Sequence, residues 1–149
     1  MIVADGWQLF AHPLFLDQVE RLAAAVERTR KKDPDGYRGT ANAKLLAAMR
    51  ELMFTTIPQD PTRPEYRQGG TLGAGRRHWF RAKFGGQRFR LFFRYSREAR
   101  IIIYAWVNDR ETLRTYGSKT DAYAVFRGML DKGDPPDDWP ALLGASRLL

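Results

Sequence analysis

The 149-residue sequence contains no cysteine and only two histidines. Without cysteine there is no disulfide framework, no thiolate metal site and no cysteine nucleophile, as is compatible with a reducing cytoplasm. Because His12 and His78 are the only imidazoles, a two-histidine acid–base pair is not expected. No stretch approaches the ~18 apolar residues of a transmembrane helix. The first residues also lack the basic start and apolar run of a signal peptide. We therefore expect a cytoplasmic protein without a membrane partner.

Acidic residues are scarce in one part of the chain. Residues 76–119 carry 12 Lys or Arg against three Asp or Glu, whereas the remainder carries 13 basic and 14 acidic residues. The whole net charge of +8 therefore comes from this segment. Such a concentration favours a polyanion as partner, although a basic, solvated surface is the alternative. The acids near the segment (Asp109, Glu111 and Asp121) are too few to predict a metal site, and no cofactor is expected.

The hydrophobic periodicity predicts one α+β domain over residues 1–149. A helical period over 13–57 predicts two amphipathic helices, the first from Pro13 to about Lys32, and the Pro- and Gly-rich stretch 58–77 predicts a loop. Residues 78–108 predict an antiparallel sheet of three to four strands, in which the unbroken apolar run 101–107 is a central strand buried on both faces. A last helix is predicted at 120–132, with helices covering one face of the sheet.

The strands "HWFRAKF" and "RFRLFFRYS" alternate between apolar and cationic residues. A two-residue turn at Gly85 and Gly86 would pair Phe84 with Gln87. The hairpin then has one cationic face, made of Trp79, Arg81, Lys83, Arg88, Arg90, Phe92 and Arg94. Like charges directly opposite each other destabilise a sheet. We therefore expect an RNA backbone across an open cationic face, with its bases stacked on the two aromatic rings.

The same face offers groups for metal-free RNA cleavage. In that reaction a base activates a ribose 2′-hydroxyl and cations stabilise the pentavalent phosphate. Lysine and tyrosine can transfer protons in a cationic setting, and Lys83 lies among three arginines in the predicted strands. His78 beside the sheet is either a base-stacking group or an ordinary exposed residue.

Three stretches carry a family resemblance: "GWQLFAHPLF", "RLFFRYS" and "NDRETLRTYGSKTDAYAVFRGML". Together they resemble the YhaV-type toxins of bacterial type II toxin–antitoxin modules, and more distantly the RelE superfamily of mRNA interferases. The resemblance implies two N-terminal helices, a twisted antiparallel sheet and cleavage of mRNA, most often in the ribosomal A site, which inhibits translation. It also implies a PrlF-type antitoxin of the AbrB-like class, whose complex with the toxin binds promoter DNA.

The RelE-like pattern also implies roles for individual residues. Its K-x-K strand matches Arg81 and Lys83, and the arginine of its next strand matches Arg90. A later arginine and tyrosine match Arg110 and Tyr116, with Arg114 as a rival arginine. The expected catalytic set is Lys83, Arg90, Arg110, Arg114 and Tyr116. The expected RNA-binding set is Trp79, Arg81, Arg88, Arg94 and Lys119.

Two other functions fit the same composition. A non-catalytic RNA- or ribosome-binding module would use the same cationic face without cleaving RNA. A DNA-binding regulator is less favoured, because the second helix directs only Lys44 and Arg50 outward. For the toxin, an antitoxin is expected to cover the cationic face with acidic or apolar segments.

Overall fold

The computed structural model describes residues 1–109 and 121–149. They form an α+β fold in which helices lie on both faces of one mixed, six-stranded sheet. The predicted α+β class is confirmed, whereas the predicted arrangement of its elements is not matched in detail. The strands are β1 (Val3–Ala4), β2 (Trp7–Ala11), β3 (Phe80–Phe84), β4 (Phe89–Ser96), β5 (Ile101–Val107) and β6 (Arg147–Leu148).

The expectation of an antiparallel sheet of three to four strands is wrong. The strand order is β1-β2-β5-β4-β3, with β2 parallel to β5, and β6 pairs with the other end of β2. The N-terminal segment supplies β2, in which Trp7, Leu9 and Ala11 alternate inward. A tight turn at Asp5 and Gly6, both with positive φ, joins β1 to β2. An Asp-Gly pair before alternating residues is a strong hairpin signal.

The helices are α1 (Pro13–Lys32), α2 (Ala41–Glu51), α3 (Ile57–Gln59), α4 (Ala122–Asp131) and α5 (Trp139–Ala145). Helix α1 has the bounds that its periodicity predicts. Pro13 occupies the first turn, where its missing N–H costs nothing, and the His12 ring accepts a hydrogen bond from the Leu14 N–H.

The expectation that helices cover only one face of the sheet is also wrong. On one face, α1 and α2 cover a core that includes Leu9, Leu91 and Tyr104. On the other face, Phe126 of α4 and Leu142 of α5 cover a second core. Strand β5 is buried throughout because it lies between these two layers, as its unbroken apolar sequence predicts.

A π-helical segment, Leu52–Thr56, links α2 to α3. Pro58 has no N–H, so it cannot donate to the Met53 carbonyl five residues earlier in this wider turn. Instead the Tyr104 hydroxyl, from the central strand, donates to that carbonyl. The irregular helix is therefore fixed to the sheet by a buried hydrogen bond.

The β3–β4 hairpin has a longer turn than predicted. Phe84 pairs with Phe89, so residues 85–88 form the turn and the expected pairing of Phe84 with Gln87 is wrong. Gly85, Gly86 and Gln87 all have positive φ. A side chain at Gly85 would place its Cβ 2.7 Å from the Phe89 ring, so the position requires glycine. The two-residue shift leaves each side chain on its predicted face.

Candidate functional site

Cationic residues of two paired strands meet at the β3 edge of the sheet. In the observed register Lys83 lies opposite Arg90, and Arg81 lies opposite Phe92. The first turn of helix α4 brings Tyr123 over the same face. We call Arg81, Arg90 and Tyr123 the arginine–tyrosine cluster.

Both arginines of the cluster donate to one hydroxyl. The Nε atoms of Arg81 and Arg90 each lie 3.0 Å from the Tyr123 Oη. Arg81 Nη1 also donates to the Glu65 carbonyl at 2.6 Å, and Arg90 Nη1 donates to the Gln87 carbonyl at 3.1 Å. Neutral oxygens of the protein thus bind the two guanidiniums in a fixed orientation.

Two further residues, Asp121 and Asn108, fix the backbone that carries the cluster. Asp121 caps α4 by accepting a hydrogen bond from the Tyr123 N–H at 2.6 Å, which fixes the turn that carries the tyrosine. The buried Asn108 accepts from the Arg90 N–H at 2.6 Å and donates to the Arg88 carbonyl at 3.2 Å. Asn108 and Tyr123 were not predicted from the sequence. The N-cap aspartate at 121 places Tyr123 in the first turn of a helix but assigns it no function.

The residues differ sharply in accessibility. The Lys83 side chain is exposed and Arg81 is half-buried, but Arg90 is only 5% exposed. The expectation that Arg90 lies on an open cationic face is therefore wrong. The Arg90 guanidinium orients Tyr123 and the turn at Gln87. Lys83 extends from the same site into solvent.

The two aromatic residues of the predicted face are buried. Trp79 and Phe92 each have 0% exposure, because α4 packs over them. The Phe126 ring lies 5.0 Å from Trp79, edge to face, and 4.4 Å from Phe92, stacked. The expectation that these rings stack on bases from an open surface is wrong, since the apolar side of α4 already occupies that space.

Arg94 is enclosed at the far end of β4. Its guanidinium lies 5.6 Å from the centre of the Trp79 ring and 5.2 Å from that of Trp139, and it donates to the Asp137 carbonyl. Burial lowers the pKa of Arg94, with Asp137 and Asp138 opposing that shift. The side chain joins α5 to the sheet by cation–π contacts, so Arg94 is half-buried instead of open, and its RNA-binding role stays a prediction.

The Asp137 side chain contacts the same group of residues around Arg94. Its carboxylate accepts from the Trp79 indole at 2.7 Å and lies 2.8 Å from His78 Nε2. Burial alone would raise the pKa of Asp137, but the bonds from His78 and Trp79 outweigh it, and the net pKa is lowered. His78 therefore has a structural partner in Asp137 while its side chain stays 37% exposed, and the choice between a base-stacking group and an ordinary exposed residue stays a prediction.

Five predicted residues remain. Arg88 is exposed in the β3–β4 turn, 6.0 Å from the Phe89 ring centre. Arg110, Arg114, Tyr116 and Lys119 lie outside the described residues. The described chain stops at Asp109, next to Asn108, and resumes at the Asp121 cap.

Within 1–109 and 121–149, no three His, Cys, Asp or Glu side chains come together in a way that could hold a metal ion. None of the helices in these ranges has the length and apolar character needed to cross a bilayer.

Comparison with known proteins identifies the family. A family of toxins with endonuclease activity, of toxin–antitoxin systems, matches residues 9–147. Toxin YhaV of Escherichia coli O6:H1 is 48% identical over 139 residues, covering 93% of this chain and 90% of the relative. Ribonuclease toxin YhaV of E. coli K12 has the same identity and coverage. No solved structure matches. This chain belongs to the YhaV toxin family, and it is an endonuclease toxin that acts with an antitoxin.

Proposed function

We propose that this toxin is an endoribonuclease that cleaves mRNA without a metal ion, through attack of a ribose 2′-hydroxyl on the adjacent phosphodiester. The observation that carries the proposal is the convergence of Lys83 with the arginine–tyrosine cluster at one sheet edge. The name of the K12 relative, a ribonuclease toxin, supports RNA as the substrate class.

The reaction needs three contributions from the protein. A base takes the 2′-hydroxyl proton as the oxygen bonds to phosphorus, and the bond from phosphorus to the 5′-oxygen breaks as an acid protonates that oxygen. Cations stabilise the charge that develops on the pentavalent phosphate. The products are a 2′,3′-cyclic phosphate and a 5′-hydroxyl end.

We assign Lys83 to the reacting phosphate, as ligand or proton acceptor, because its exposed side chain can reach RNA. Arg81 is the second phosphate ligand, held ready by Tyr123 and the Glu65 carbonyl. Arg90 acts through these groups as a positioning residue. Exposed Arg88 extends the cationic surface along the RNA backbone.

The remaining roles rest on the family resemblance. They are phosphate binding by Arg110 or Arg114, nucleotide stacking or activation by Tyr116, and backbone binding by Lys119. The same resemblance supports action on the ribosome in the cytoplasm, a PrlF-type antitoxin of the AbrB-like class, and promoter binding only by the toxin–antitoxin complex. An acidic antitoxin segment across Lys83 and Arg88 would exclude RNA by occupying the same cations.

The test is cleavage of a defined mRNA by the purified toxin in EDTA, with and without ribosomes. We expect 2′,3′-cyclic phosphate ends, and no cutting where a single 2′-deoxynucleotide replaces the attacking ribose. Cutting at that deoxynucleotide would overturn the mechanism, and activity that requires an added divalent ion would overturn its metal independence. Cutting only when ribosomes are present would support ribosome dependence.

A further inference from the structure

A cleft of about 350 Å³ opens beside the arginine–tyrosine cluster. Buried apolar residues, Leu52 and Ala82, form part of its lining. Its accessible lining is polar and comprises Thr56, Glu65, Lys83 and Gln87. A concave site that combines buried apolar residues with a few polar groups is typical of the binding of a small organic group, and a nucleobase is one such group.

Three irregular backbone segments meet at this cleft. Leu52 and Thr56 belong to the π-helical segment, and Glu65 belongs to a 3₁₀ turn, Pro64–Tyr66. Gln87 has a φ of 66°, which is uncommon for a residue other than glycine. Single π-helical turns and left-handed residues occur often at functional sites, because the rest of the fold must stabilise them.

The cleft is joined to the cluster by hydrogen bonds. The carbonyls of Glu65 and Gln87 accept from Arg81 and Arg90 respectively, so two of the lining residues also hold the guanidiniums. Lys83 links the two, since it lines the cleft and lies opposite Arg90. A nucleotide with its base in the cleft would therefore place a neighbouring phosphate near these cations.

We propose that this cleft binds one nucleobase next to the scissile phosphate and favours bases with an exocyclic amino group over uracil. The inference rests on the proposed ribonuclease function. The carboxylate of Glu65 accepts hydrogen bonds, and adenine, cytosine and guanine each offer an exocyclic amino group. Uracil offers only its ring N3–H, which lies between two carbonyl oxygens that repel a carboxylate. Single-stranded RNA is read in this way, by stacking and by hydrogen bonds to base edges.

The first experiment maps cut sites for the wild type and for Glu65→Gln on one mRNA pool. Glutamine has the same shape but is uncharged and also donates, so the carbonyl oxygens of uracil gain a donor and are no longer repelled. One hydrogen bond corresponds to about a 2–10-fold change in the ratio of uracil to the other bases at a single position relative to the cut. Glu98→Gln is the matched control: it removes the same charge from an exposed residue beyond the far end of β4, and it should leave the base distribution unchanged.

The second experiment does not depend on cleavage. Amide signals of the wild type are followed by NMR during titration with AMP, CMP, GMP or UMP. We expect shifts at Thr56, Glu65 and Gln87, larger for the three amino-bearing nucleotides than for UMP, and a reduced difference in Glu65→Gln.

The outcomes separate the two proposals. A wild type that cuts no RNA would refute the ribonuclease function, while the nucleotide titration would still decide the role of the cleft. An unchanged base distribution in an active Glu65→Gln variant would overturn the subsite. So would shifts at the cleft caused by an acidic antitoxin peptide but by no nucleotide, which would assign the cleft to the antitoxin.

Discussion

Arg90 and Arg94 lie four residues apart on one strand and on one face, but their surroundings differ. Arg94 is held between the rings of Trp79 and Trp139 and donates to a carbonyl of the α4–α5 connection. Arg90 shares a tyrosine hydroxyl with a second arginine and lies opposite an exposed lysine. Both guanidiniums are substantially removed from water, so burial alone does not distinguish them.

The difference lies in what each arginine is joined to. The partners of Arg94 are aromatic rings that fix a terminal helix, and a cation between two rings is a stabilising contact. The partners of Arg90 include the Tyr123 hydroxyl, shared with Arg81, and the carbonyl of Gln87, which lines a cleft together with the exposed Lys83. A buried arginine therefore indicates a functional site when its hydrogen bonds orient accessible groups.

The largest effect on the cleavage rate is expected at Lys83, which is exposed and lies opposite the buried Arg90. Lys83→Arg keeps the positive charge, but a guanidinium cannot give up its proton near neutral pH. If Lys83 is the general base, the cleavage rate should fall roughly 10²–10⁴-fold with an unchanged melting temperature. Arg88→Lys, a swap of the opposite kind in the exposed turn, is the control and should cleave nearly normally. Near wild-type cleavage by Lys83→Arg would reduce this residue to an electrostatic ligand.

The comparison itself is tested by Arg90→Ala against Arg94→Ala. We expect Arg90→Ala to lower the rate per folded molecule roughly 10²–10³-fold, as loss of a preorganised donor does. Arg94→Ala should instead lower the free energy of unfolding by roughly 2–4 kcal/mol, from two cation–π contacts, and leave the rate per folded molecule unchanged. Denaturant unfolding and single-turnover cleavage separate the two effects. Equal rate losses in both variants would contradict the assignment of a positioning role to Arg90 and a stabilising role to Arg94.

Much of the fold follows from periodicity. The bounds of α1 and the burial of β5 follow from the 3.6-residue period and from an unbroken apolar run. The position of β2 does not, because its five residues gain their place only by pairing with a strand about 90 residues away. Short strands that rely on distant partners are poorly specified by their own sequence.

The faces of the β3–β4 hairpin were predictable from the sequence, but the packing around its cationic face was not. The alternation that places Arg81, Lys83 and Arg90 on one face was correct, because a two-residue register shift leaves the faces unchanged. What the sequence could not show is that α4 returns over that face. The assumption that like charges require an external anion overlooked the neutral acceptors that Tyr123 and backbone carbonyls provide.

Tyr123→Phe should have a smaller effect than either arginine substitution. The variant keeps the ring, which meets Phe92 edge to face at 5.8 Å, and removes only the hydroxyl that accepts from both arginines. A hydrogen bond from a charged donor contributes about 1.5–3 kcal/mol. If its loss destabilises only the transition state, the cleavage rate should fall roughly 10–150-fold. In an Arg90→Ala background the same change should have a much smaller effect, because the two residues act together. Full additivity of the two losses would contradict a shared positioning role.

The smallest effect concerns pH and a residue far from the cleavage chemistry. His12 is 5% exposed, and its Nδ1 accepts the Leu14 N–H at 3.2 Å, which requires a neutral ring. Burial lowers the pKa of His12, and Asp134, 3.9 Å away, only partly opposes this. The unfolded chain therefore binds the proton more readily than the folded chain. The contribution of His12 to stability is full above the usual pKa of 6.5 and is lost as the pH falls from there through the lowered pKa of the folded state.

We expect the free energy of unfolding of the wild type to fall by about 1 kcal/mol between about pH 7.5 and 5.5, the typical contribution of an N-cap. His12→Asn retains a capping oxygen without a titrating group, so its melting temperature should change less over this range. An equal decline in both proteins would show that other groups set the pH dependence of folding.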